Sequence, residues 1–148
     1  MTTNIPRVSD FFSLRIQITP EIAPIQTRTF VTARLTNTSS VTIVVNRRML
    51  LNHPGFPGEM RFDVVGPPGY RNTISFRVNA GDAPEESFVA LPPGDHVFRQ
   101  WPLEDFVSTQ APGDYEITMT YHNDRAHSPC GRTVTTGIAS ATSRITRR

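Results

Sequence analysis

Apolar and polar side chains take turns along most of this chain. Phe12, Leu14, Ile16 and Ile18 are separated by Ser13, Arg15 and Gln17. Val31, Ala33 and Leu35 alternate with Thr32, Arg34 and Thr36, and Val41, Ile43 and Val45 follow the short break Asn37–Ser40. The same beat returns in Met60, Phe62 and Val64, in Ile74, Phe76 and Val78, and in Tyr115, Ile117, Met119 and Tyr121. A period of two puts successive side chains on opposite faces of an extended strand, one face dry and one wet. The pattern therefore predicts a series of short half-buried strands, and the abundant threonine suits their pleated surface.

Turn chemistry separates the runs. "NTSS", "HPGFPG", "GPPGY", "NAGDAP", "LPPGD", "QAPGD" and "HNDRAHSPCG" each break the alternation. Proline presets φ at the second position of a turn, and glycine supplies positive φ. Thirteen prolines in 148 residues leave no room for a long helix, because each removes a donor and breaks a helix interior. One helical turn fits in "PLEDFVSTQ". Many short strands at regular spacing predict an all-β, antiparallel sandwich of about seven to nine strands. One domain is expected over 1–136, followed at 137–148 by a basic C-terminal arm or edge strand.

The stretch from Ala90 to Asn123 is the most informative. "SFVAL" reads as a strand, "HVFRQW" as the next, "PLEDFVSTQ" as a crossover between sheets, and "YEITMTY" as a central strand. Tyr115 follows a Pro-Gly-Asp turn, where sandwich domains place a tyrosine whose phenol bonds back to the crossover backbone while its ring stays buried. Trp101 is expected to anchor the core beneath that crossover. Taken with "RTFVTARLTNTSSVTIVV" and "RFDVVGPPGY", these motifs resemble bacterial Ig-like domains over residues 28–122. They are similar to the non-catalytic sandwich of deuterolysin-type metallopeptidases. They also look like the bacterial intracellular proteinase inhibitor family, with its Asn-Thr after an early strand and its late Pro-Gly-x-Tyr strand. The resemblance implies an Ig-like sandwich. No catalytic domain of the first group follows in this chain.

Charge changes the picture at one end. All fifteen basic residues are arginine, against thirteen acids, for a net charge of +2. Five of the arginines (125, 132, 144, 147 and 148) fall after the last acid, Asp124. A basic tail on a mildly acidic body is the expectation, solvated or touching an acidic protein surface. Nucleic acid is disfavoured as a partner, since the tail has no aromatic reader. The single cysteine, Cys130, excludes an internal disulfide. No leader-like segment opens the chain and no apolar run reaches the roughly 18 residues of a membrane span, so a cytoplasmic location is expected.

Reactive constellations are missing. The chain has no His-Glu helix for a zinc peptidase and no Gly-x-Ser-x-Gly elbow, and without lysine it cannot build a phosphate loop. The nearest approach to a metal set is His122, Asp124, His127 and Cys130 on one loop, whose spacing fits no closed site. Met49 and Met60 beside His53 would suit copper, but methionine more often fills core gaps. Glu85-Glu86 and Glu104-Asp105 read as solvated loop charges. No cofactor or metal is expected.

The expected function is that of a non-enzymatic interaction or structural module acting on a protein partner, a second copy of itself or a larger assembly. The candidate partner-binding residues are Phe11, Arg47, Arg48, Met49, Phe56, Arg144, Arg147 and Arg148, because arginine, methionine and aromatics are enriched at interfaces. The alternative is an intracellular proteinase inhibitor that presents the "HPGFPG" loop to a protease cleft, with prolines reducing the entropy lost on binding.

Overall fold

A computed structural model describes residues 9–52, 58–74, 76 and 81–148. The alternating runs become strands where the pattern placed them. β1 is Phe12–Thr19, β2 Ile22–Ala23, β3 Phe30–Asn37, β4 Ile43–Asn46, β5 Leu51–Asn52 and β6 Met60–Val65. β7 is Phe88–Leu91, β8 His96–Pro102, β9 Gly113–Asn123 and β10 Gly137–Arg147. Single 3-10 turns at Glu85–Ser87 and Leu103–Asp105 are the helical elements among the described residues.

The strands form an antiparallel Ig-like sandwich. One sheet has the order β1-β3-β8, the facing sheet β2-β10-β9-β6-β5, and β4 pairs with β7 at the side. The dry faces meet: Leu14, Ile18, Val31 and Leu35 of the first sheet share one core with Phe62, Ile117, Met119 and Ile145 of the second. Edge-on ring contacts bridge the layers, with the Phe12 and Tyr121 centroids 5.4 Å apart. Outside, the wet face of β9 is laced to β10 by hydroxyl pairs, Thr118 to Thr142 and Thr120 to Ser140, each at 2.9 Å.

Tyr115 is a tyrosine corner. Its ring is fully buried and its hydroxyl donates to the Ala111 carbonyl at 2.6 Å. The turn before it needs glycine: at Gly113 φ is +134°, and an added Cβ would stand 2.6 Å from Pro67 Cγ. Tyr115→Phe keeps the ring and strands that carbonyl, so it should lower stability by about 1 kcal/mol, read as a shifted urea midpoint with unchanged slope. Trp101 joins the core as expected, with the Arg99 guanidinium 5.8 Å from its ring centroid.

One expectation is corrected here. Residues 71–74 do not extend into a strand. The Asn72 side chain takes up the backbone of the crossover instead, donating to the Phe106 carbonyl and accepting from Ser108 N. Residues 75 and 77–80, the rest of that expected strand, lie outside the described residues. The segment from 137 onward, expected as a basic arm or an edge strand, is a strand up to Arg147. β10 pairs with β9 along its whole length, and β2 adds a parallel pairing at Thr146 and Arg147. Its inward positions are small, Ala139, Ala141, Ser143, so its apolar signal is weak although its register is fixed.

Candidate interaction face and pocket

The residues expected to meet a partner differ in exposure. Phe11 stands 44% exposed just before β1. Arg47 is exposed in the turn after β4, while Arg144 and Arg148 are exposed on and after β10. Arg144 is held by Glu116 across the β9–β10 pair at 3.0 Å. Phe56 lies outside the described residues, as do His53 and most of the "HPGFPG" loop. Arg48 is half-buried and ion-paired to Glu59 at 2.6 Å.

Met49 and Arg147 cannot meet a partner, because both are buried. Met49 sits in the left-handed region at φ +46°, turned into the core. That backbone is costly for a side chain with a Cβ. It is held by Asn46 Oδ1, which accepts from Arg48 N, and by Glu59 Oε2, which accepts from Leu50 N. Met49 and Met60 are both in the core. Arg147 is ion-paired at 2.9 Å with Glu104, which is thus not a solvated loop charge.

The remaining chemical candidates are scattered. His127 and Cys130 are exposed on the 124–136 loop and His122 lies within β9. Among the described residues no three His, Cys, Asp or Glu side chains group to hold a metal ion. Glu85 accepts from Ser128 Oγ at 2.7 Å and so ties that loop to the turn before β7. Among the described residues no helix is long and apolar enough to cross a membrane.

What sequence reading missed is the outer face of the β1-β3-β8 sheet. Register places Arg15 opposite Arg34, and Arg34 opposite Phe98. Both arginines are exposed and Phe98 is 65% exposed. Like charges directly opposite each other destabilise a sheet. No carboxylate relieves them: all thirteen acids are among the described residues, none sits at an outward position of these strands, and neither arginine is ion-paired. Arg28 adds a third cation, 5.6 Å from the Phe30 ring centroid at the end of the same face. β8 is an edge. It pairs with β3 on one side, and among the described residues no strand pairs with the other.

A second feature is a pocket of about 320 Å3 where β6 begins and β9 ends, walled by Arg48, Glu59, Arg61, Asp82, Asp124 and Arg125 among others.

Comparison with known proteins adds little. No family model matches the chain, and no curated protein matches it. One solved structure, the CARDB domain of the PF1109 protein from Pyrococcus furiosus in complex with di-metal ions, aligns at 11% identity and a TM-score of 0.46. The alignment covers 99% of this chain and 97% of that one. The likeness to deuterolysin-type peptidases and proteinase inhibitors finds no support beyond the sandwich itself.

Proposed function

We propose that the chain is a non-enzymatic interaction module whose β1-β3-β8 face receives an acidic segment of a protein partner, laid along the free edge of β8. The observation that carries this reading is the row Arg15, Arg34 and Phe98: two exposed cations with no carboxylate of their own, beside an exposed ring on a strand that is an edge among the described residues. An unpaired edge offers backbone donors and acceptors to an added strand, and its outward side chains supply selectivity. Carboxylates from the partner would relieve the arginine repulsion, and Phe98 would lose its exposure to water. Such contacts steer association and weaken with salt. The inhibitor alternative rests on a loop that lies mostly outside the described residues, and no observation here favours it.

The test is capture of partners from the native cell with the wild-type chain as bait, compared with Arg34→Glu and Phe98→Ser. Both substitutions are at exposed outward positions and should leave the unfolding free energy within about 0.5 kcal/mol of wild type. Each should lower affinity for a captured partner by about tenfold or more, the scale of a 1.4 kcal/mol contact. Retention of the same partners at full affinity by both variants would refute the face. A captured nucleic acid, released by nuclease, would refute the protein reading.

A further inference from the structure

The pocket where β6 begins and β9 ends holds three guanidinium groups, and two of them are matched. Arg48 lies 2.6 Å from Glu59, and Arg125 lies 2.5 Å from Asp82. Arg61 is different. No carboxylate pairs with it, although every acidic residue of the chain is described. Its Nε is sealed from solvent and has no acceptor among the described residues. A guanidinium stays charged at all ordinary pH and offers a planar fork of donors. Leaving such a donor buried and unused costs about 1–3 kcal/mol. With Nε sealed, the two Nη groups are the part of this fork that a molecule in the pocket could meet.

We propose that this pocket binds a small carboxylate ligand, held by the Arg61 guanidinium. The volume of about 320 Å3 falls at the small end of ligand pockets. The planar fork matches a carboxylate in two parallel hydrogen bonds. The choice of a singly charged carboxylate over phosphate follows from the other walls. Glu59, Asp82 and Asp124 put three carboxylates around the same space. A dianion would meet more repulsion there than a monoanion. Asp124 carries no ion pair among the described residues, so a ligand with an ammonium beside its carboxylate would match both free charges. The site is independent of the β1-β3-β8 face, and either proposal can fail alone.

The experiment is an NMR titration of the folded chain with acetate, glycine and inorganic phosphate, following the arginine Nε–Hε signals. Acetate and glycine should give saturable shifts of the Arg61 signal, with glycine the tighter of the two. Arg61→Met should abolish saturable binding, and Arg71→Met, at an exposed position outside the pocket, should not change it. Arg61→Lys retains the charge but not the fork and should bind about tenfold more weakly; it also serves if the methionine variant unfolds. Unsaturable shifts, binding unchanged in both Arg61 variants, or phosphate binding as tightly as glycine would overturn the proposal.

Discussion

Arg147→Met should destabilise the fold by about 3 kcal/mol, near the lower end for breaking a buried ion pair. The side chain is wholly buried beneath the end of β10. Nε donates to Thr109 Oγ1, Nη1 to the carbonyls of Pro24 and Thr27, and Nη2 to Thr29 Oγ1 and Glu104 Oε1. One residue thus ties β10 to the β2–β3 connection and to the crossover after β8. Methionine fills much of the same volume but leaves these acceptors unanswered and Glu104 without its cation. The low end of the range applies because the Glu104 side chain is 36% exposed, so water screens part of the loss.

Acid should narrow the difference. Burial pushes the Glu104 carboxyl up, but hydrogen bonds from Thr29, from the backbone and from Arg147 outweigh it and hold the group below its ordinary 4.5. A carboxyl depressed in the folded state contributes stability above its unfolded value, and that contribution disappears as pH falls through the folded one. Wild type should therefore lose more stability than Arg147→Met on acidification below 4.5. Urea unfolding followed by Trp101 fluorescence at neutral and acid pH measures both effects. A gap that widens in acid would contradict the ion pair.

Arg147 also marks where sequence reading stops. Strand existence was legible because alternation is local: Tyr115 to Tyr121 shows its dry face within seven residues. The tyrosine corner was legible because a turn motif fixes it. In "GIASATSRITRR" the same period of two is present, but its dry face runs through alanine, alanine and serine before one isoleucine, Ile145, and ends in an arginine. A charge in a terminal segment reads as solvated unless its partners are known, and Glu104 lies 43 residues away. The Arg15–Arg34–Phe98 row is hidden for a similar reason. Each residue occupies an ordinary wet position in its own strand, and only the pairing register sets them side by side. Pairing partners, unlike faces, are not encoded by period.

The second large effect is expected at Glu59, a buried carboxylate surrounded by donors. It accepts from Asn46 Nδ2 at 3.0 Å, from Arg48 Nε and Nη2 at 2.9 and 2.6 Å, and from Leu50 N at 2.9 Å. Asn46 in turn is fixed by Tyr121, whose hydroxyl accepts from Asn46 N and donates to Asn46 O. Burial first, then the Glu59 charge, push that phenol well above its ordinary value, against the hydrogen bond to Asn46. The network therefore joins β4, the left-handed Met49 turn, β6 and β9. Glu59→Ala strips the acceptor from all four donors and leaves Arg48 with an unmatched charge, so a loss of about 3–4 kcal/mol is expected. Glu59→Gln keeps one acceptor but turns an amide donor toward other donors, and should lose about 2 kcal/mol. Arg48→Met alone removes the cation yet leaves Glu59 its bonds to Asn46 and Leu50, so it should cost less than Glu59→Ala. In the double variant the combined loss should fall short of the sum, since each single change already breaks the shared pair. Strict additivity in a urea double-mutant cycle would mean that the carboxylate serves the Met49 turn through Leu50 and Asn46, and that the Arg48 contact contributes nothing.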